Sequence, residues 1–180
     1  MRIVGGKYRG IPLTAFDGDK IRPTSDKVRE SFFNMIQFEI FGKSFLDLFC
    51  GTGAMGIEAL SRGADCVVFN DASRESLNLL KKNLAKVKAE DGFSITNFNA
   101  EVYLRNCAQK FDYIYIDPPY QSGLGVVCLP LTLNALTDSG RVILEDEKPF
   151  EGEVDGLMVV NRKKYGRVHL TFFKKSDKES

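Results

Sequence analysis

Asp47-Leu48-Phe49-Cys50-Gly51-Thr52-Gly53-Ala54-Met55-Gly56 carries a G-x-G-x-x-G turn directly after an apolar run, residues 45–49, and before a helical stretch that continues to about residue 62. A second apolar run, residues 66–70, ends at Asp71, 20 positions beyond Gly51. Strand, glycine turn, helix and strand-end acid in this order read as the opening of a nucleotide-binding βαβ unit. Glycine lets the backbone turn tightly and approach a ligand with no Cβ in the way, and a carboxylate at Asp71 can take both hydroxyls of a ribose. Two cofactor classes fit: a dinucleotide such as NAD, and S-adenosyl-L-methionine. Asp47 separates them, because a carboxylate beside the turn accepts from the ammonium of a methionine moiety and repels a pyrophosphate.

Outward from this unit the chain alternates strand and helix. Strands are predicted at 66–70, 93–98, 112–116 and 141–145, and helices near 74–87, 100–107 and 126–136. Such alternation predicts an α/β protein with a parallel sheet and helices on both faces. Only about ten residues separate the fifth strand from 157–161, too few for a crossover helix, so 157–161 and 168–173 are expected to form an antiparallel hairpin. Before the glycine turn, residues 2–16 pair short apolar runs around Gly5-Gly6, Gly10 and Pro12, a small hairpin or extended arm. Thr24 or Ser25 then offers a cap to a helix with Val28, Phe32, Met35, Ile36 and Ile40 at helical spacing, expected to run to about residue 41. The expected organisation is a basic hairpin and helix at 1–43, a catalytic domain at 44–175 and a flexible tail at 176–180.

The 180 residues are 43% hydrophobic and 27% charged, which excludes a disordered or fibrous chain and suffices for one core. Cys50, Cys66, Cys107 and Cys128 contain no C-x-x-C pair, so neither a zinc site nor a disulfide framework is expected, and a reducing cytoplasm fits best. No apolar stretch approaches the roughly 20 residues of a membrane span. The net charge of +1 conceals an asymmetry. Residues 1–29 sum to +4, residues 161–175 carry six cations and no acid, and the remainder is −9. A polyanionic partner touching both ends accounts for both basic segments.

Asp117-Pro118-Pro119-Tyr120 follows the fourth strand. Two prolines fix the backbone and remove two amide donors, leaving carbonyls to accept. A carboxylate at one end and an aromatic ring at the other make a socket for a planar primary amine: Asp117 and the Pro118 carbonyl take its hydrogens, and Tyr120 stacks on the ring. Such acceptors favour a pyramidal nitrogen and free its lone pair for attack on a sulfonium methyl. Asn99-Ala100-Glu101, after the third strand, falls where an adenine edge would lie, although an acid in a first helical turn also suits the helix dipole.

Taken together, Arg2-Ile3-Val4-Gly5-Gly6 with Arg9-Gly10, Arg22-Pro23-Thr24 ahead of Val28-Arg29-Glu30-Ser31-Phe32-Phe33-Asn34, the stretch 47–64, Asp117–Tyr120 and Lys164-Tyr165-Gly166 make the chain resemble the bacterial 16S rRNA (guanine-N2) methyltransferases over nearly its whole length. The resemblance implies a Rossmann-like class I methyltransferase with a seven-stranded, mostly parallel sheet and an antiparallel last strand. It implies S-adenosyl-L-methionine as methyl donor and no metal. Asp47, Gly51, Gly53 and Asp71 would hold the cofactor, with Thr24 and Glu101 nearby; Asp117, Pro118, Pro119 and Tyr120 would hold the guanine. Asp117 stands where many relatives carry Asn, and Glu101 where Asp is more usual. Arg2, Lys7, Arg9, Arg22 and Arg29, with Lys163, Lys164 and Arg167 of the terminal hairpin, are the expected phosphate contacts. The implied substrate is 16S rRNA in a small ribosomal subunit or assembly intermediate, bound by a monomer.

The same amine socket suits adenine N6 of DNA or a protein glutamine amide. A nicotinamide-dependent oxidoreductase would use Gly51–Gly56 and Asp71, but no hydride-transfer constellation accompanies them, and His169 in the last strand is expected to be a packing or surface residue. A non-catalytic RNA-binding module is the third alternative.

Overall fold

Each predicted apolar run becomes a strand, because a sheet covered on both faces needs side chains that bury in both directions. A computed structural model describes residues 1–16, 26–119 and 121–176. Thr24, Ser25, Arg22, Tyr120 and residues 177–180 lie outside the described residues. Seven strands form one sheet: β1 (Ser44–Asp47), β2 (Cys66–Asn70), β3 (Phe93–Thr96), β4 (Phe111–Ile116), β5 (Leu136–Asp146), β6 (Leu157–Tyr165) and β7 (Val168–Lys175). Their order is β3-β2-β1-β4-β5-β7-β6. The first five are parallel, and β7 runs antiparallel between β5 and β6. This is the class I methyltransferase sheet that the resemblance implies.

The helices are α1 (Asp26–Met35), α2 (Ala54–Ser61), α3 (Arg74–Val87), α4 (Ala100–Asn106) and α5 (Leu124–Leu131). Phe45, Tyr113, Tyr115 and Phe172 share one core with Phe32 and Phe33 of α1 and with Ile57, Leu60 and Leu80 of α2 and α3. Leu46, Ile114, Ile116, Val142 and Leu144 point the other way, onto Leu104, Cys128 and Leu129 of α4 and α5. Phe32 sits 5.3 Å from the Tyr115 ring, edge-on, and 6.2 Å from Phe172, stacked. A fully buried phenylalanine of this kind contributes about 1.5–3 kcal/mol.

Several boundaries differ from the sequence reading: β3 stops at Thr96 rather than 98, while β6 runs on to Tyr165 and β7 to Lys175 because the two pair along their whole length, and three further differences have local causes. Helix α1 stops at Met35 rather than near residue 41, because turn bonds from Glu39 and Ile40 to the Ile36 carbonyl bury Ile36 and Ile40 without another helical turn. Gly42, at φ +73°, then redirects the chain into β1 and donates to Gly63 O. Helix α5 begins two residues early and carries Pro130 in its last turn, and a 3₁₀ turn, Thr132–Ala135, leads straight into β5. Strand β5 begins at Leu136 because Leu136 pairs with Phe111 and Arg141 with Tyr113, so the polar residues between them bulge out of register.

The N-terminal arm is a hairpin, closed by Ile3 N–H to Ile11 O and Leu13 N–H to Met1 O, with Ile3 and Leu13 buried. Glu58 of α2, fully buried, anchors it: its carboxylate accepts from Val4 N–H at 2.9 Å and Gly5 N–H at 2.8 Å. Two arginines neutralise that acid, Arg62 at 2.8 Å and Arg29 at 3.5 Å. Arg29 therefore does not serve as a phosphate contact. Its side chain is wholly buried and its guanidinium also donates to Asp26 and to the Arg2 carbonyl. Burying a carboxylate demands such compensation, and Arg29 supplies it.

Candidate active site

The strand order reverses between β1 and β4, the switch point where open α/β sheets bind ligands beyond the carboxyl ends of their strands. A cavity of about 1150 Å³ opens there. Its floor is the glycine turn, with Gly51 at φ +50° and Gly53 at φ +80°. A Cβ on Gly53 would lie 2.2 Å from Leu80 Cδ1, and one on Gly56 would lie 2.2 Å from the Phe69 ring. Conformation and space both require glycine at 53; close packing of α2 on β2 requires it at 56. Residue 53 gives α2 no side-chain cap. Asp47 does so from β1, its Oδ2 accepting from Gly56 N–H at 2.9 Å.

Asp71 ties the end of β2 to this turn, accepting from Gly51 N–H at 2.9 Å and Ser73 N–H at 2.8 Å. A carboxylate offers about four lone-pair positions, so acceptor capacity remains for ligand hydroxyls. Asp47 is only 3% exposed. Burial, reinforced by the charges of Asp71 and Glu145 and opposed by the Gly56 bond, lifts its carboxyl from 3.8 to about 7. Among the described lining residues there are eight carboxylates and one cation, Arg105, which lies 4.0 Å from Glu101. Such a wall suits a cationic ligand with an ammonium or sulfonium and repels a pyrophosphate.

Asp117, Pro118 and Pro119 line the same cavity. Gly125 of α5 lets the Pro118 ring approach, since a Cβ there would stand 3.2 Å from Pro118 Cγ. Asp47, Gly51, Asp71, Glu101 and the proline turn thus converge on one space, with Gly53 packed beneath it. Because β7 runs back along β5, pairing His169 with Asp146 and Lys164, the turn between β6 and β7 lies at the cavity end of the sheet. Lys163, Lys164 and Arg167 are exposed there. Lys7, within the 3₁₀ turn Gly6–Tyr8, and Arg9, directly after it, are also exposed, and the turn rests on Ser61 at the far end of α2. Arg2, exposed, pairs across the arm with Pro12.

Three residues with no assigned role in the sequence reading also shape the site. Phe16 lines the cavity, its ring 3.9 Å from where a Cβ on Gly51 would be. Asn83, fully buried on α3, accepts from Thr14 N–H at 2.7 Å and donates to Thr14 O at 3.0 Å and Thr52 O at 2.9 Å. It stitches the arm to the glycine turn. Glu145 is the last residue but one of β5, as Asp47 is the last of β1, and that position near a strand end was a signal the sequence offered. Nothing in the local sequence around Phe16 or Asn83 foretold theirs.

The family described as Conserved hypothetical protein 95 matches residues 1–174. Ribosomal RNA small subunit methyltransferase D of Escherichia coli K12 is 38% identical over 89% of this chain and 79% of its own length. YlbH of Bacillus subtilis is 35% identical, over 97% and 99%. The solved structure of Escherichia coli yhhF superposes with a TM-score of 0.86 at 30% identity, covering 97% of both chains. The chain belongs to the Conserved hypothetical protein 95 family and is a methyltransferase of the class I fold, in the same group as the small-subunit enzyme D of Escherichia coli.

Proposed function

We propose that this protein transfers a methyl group from S-adenosyl-L-methionine to the exocyclic N2 amine of a guanine in 16S rRNA, acting on a small ribosomal subunit or its precursor. The observation that carries the reading is the pair of carboxylates, Asp47 and Asp117, at the ends of the two strands that flank the switch point, in a cavity walled by acids. The rRNA substrate of the Escherichia coli relative supports the choice of nucleic acid.

Bound S-adenosyl-L-methionine supplies a methyl on a positively charged sulfur, and transfer leaves a neutral thioether. Asp47 would accept from the amino-acid ammonium, Asp71 would take the ribose hydroxyls, and Glu101 would serve the adenine. Thr24 joins them from the segment before α1. Asp117 and the Pro118 carbonyl accept the two hydrogens of the substrate amine, and Tyr120 stacks on the base. The proline turn holds these acceptors fixed, so attack costs little reorganisation. The proton that the amine sheds on taking the methyl would leave through the Asp117 carboxylate. Arg2, Lys7, Arg9, Arg22, Lys163, Lys164 and Arg167 hold phosphates, and the target base leaves its stack at a cost of a few kcal/mol.

The test is transfer of labelled methyl to small subunits from cells lacking the protein, followed by nucleoside analysis. N2-methylguanosine is expected, with a loss of about 10²–10³-fold for Asp117→Ala at unchanged S-adenosylhomocysteine affinity. N6-methyladenosine, or label in protein, would overturn the guanine assignment.

A further inference from the structure

One buried titratable pair in the cavity takes no part in this chemistry. Tyr115, fully buried, donates its hydroxyl to Glu145 Oε2 at 2.6 Å. Burial and the Glu145 charge push the Tyr115 phenol well above its ordinary range, so it remains a donor. Glu145 is 7% exposed and lines the cavity beside Asp117. The two acids directly follow the paired residues Ile116 and Leu144, whose backbones stand about 4.8 Å apart on neighbouring parallel strands. Strand alternation carries Glu145 to the same face as Ile143 and Tyr115, and Asp117, one residue beyond β4, lines the same cavity.

The strand order fixes which side of Asp117 this is. Asp71 follows β2 and Asp47 ends β1, Asp117 follows β4, and Glu145 is on β5, on the other side of Asp117 from β2 and β1. The cavity, at about 1150 Å³, exceeds the roughly 300–1,000 Å³ of a single small-ligand site, which leaves room for a base beside the cofactor. With the cofactor half on the β1 and β2 side of Asp117, the ring of an amine held there has the β5 side left to it, and a carboxylate on that side requires a donor. Guanine flanks its N2 amine with N1–H, a donor, on one side and N3, an acceptor, on the other, so a carboxylate selects the orientation that presents N1–H. In adenine the N1 beside the N6 amine is a bare acceptor, which a carboxylate repels.

We propose that Glu145 determines base specificity by accepting the N1–H of guanine, and that Tyr115 is a positioning residue that fixes the orientation of that carboxylate. The inference rests on the guanine-N2 reading above and extends it to the base edge. A site built to hydrogen-bond a substrate group discriminates strongly against an analogue lacking it, here because the carboxylate would face a ring-nitrogen lone pair in place of N1–H.

The test uses the full chain and small subunits reconstituted with 16S rRNA carrying either guanine or 2-aminopurine at the mapped target. 2-Aminopurine keeps the 2-amine and has no N1–H. The wild type is expected to prefer guanine by about 100-fold or more in kcat/KM. Glu145→Gln should lose about 100-fold on guanine yet narrow the preference, since its amide N–H can donate to the bare N1. Tyr115→Phe should lose about tenfold on guanine, mainly in KM, with S-adenosylhomocysteine affinity unchanged. Equal wild-type rates on both bases overturn the proposal. So does an equal loss on both in Glu145→Gln with weakened S-adenosylhomocysteine binding, which marks a structural pair. A wild type that makes no N2-methylguanosine, with guanine at the target, overturns the guanine-N2 reading itself and this inference with it.

Discussion

Asp47→Asn should stabilise the cofactor-free protein while abolishing its cofactor binding. Asp47 is buried, and its carboxyl is raised from 3.8 to about 7, chiefly by loss of hydration. Between those values the folded chain binds the proton more tightly than the unfolded chain, so stability falls as pH rises through the window and levels off above it. A rise of this size corresponds to about 4 kcal/mol lost at pH 8, and under about 2 kcal/mol at pH 5, as upper bounds before local relaxation. Asparagine removes the charge, while its Oδ1 can still accept from Gly56 N–H. At about 2–4 °C per kcal/mol for a chain of this size, the variant should melt about 5–15 °C higher at pH 8, with less than half that gain at pH 5. Calorimetry of both proteins at the two pH values, with and without S-adenosylhomocysteine, measures this. The ligand should raise the melting temperature of the wild type alone. A variant no more stable than wild type at pH 8, or one with the same advantage at both pH values, would refute the reasoning.

By the same linkage, wild-type affinity for S-adenosylhomocysteine should fall as pH drops below about 7, because a protonated Asp47 no longer accepts from the ligand ammonium; titration calorimetry across pH 6–8 reads it. Gly56→Ala places a methyl against the buried Phe69 ring and should cost about 1–3 kcal/mol in urea denaturation. Glu58→Gln leaves buried Arg29 with Asp26 as its acidic partner and weakens the acceptor of the arm amides, and should cost about 1–3 kcal/mol, with faster hydrogen exchange at the Val4 and Gly5 amides. Neutralising Lys163, Lys164 or Arg167 should reduce the salt dependence of subunit binding by about 0.7–0.9 in slope per residue, whereas Arg29→Met should leave the slope unchanged.

The alternation of strands and helices, the glycine turn with its strand-end acids, and the antiparallel terminal hairpin were legible in the sequence. Each is set by short-range constraints: side-chain period, glycine's access to positive φ, and the length a crossover needs. Asp47 and Asp117 could be marked as site residues because each ends a strand next to a turn of unusual composition. Where α1 stops and where β5 starts could not be read, since turn bonds to Ile36 and the pairing of Leu136 with Phe111 decide them. The fate of charged and polar residues was the least legible. Arg29 and Arg9 are both arginines near the basic end, yet one is buried against Glu58 and the other is exposed, and only the docking of the arm on α2 distinguishes them. Asn83 and Glu145 acquire their places through partners 31 and 30 positions away. Local pattern determines which elements form and which residues end them. The packing of those elements alone decides which charges are consumed inside the fold and which are left facing a ligand.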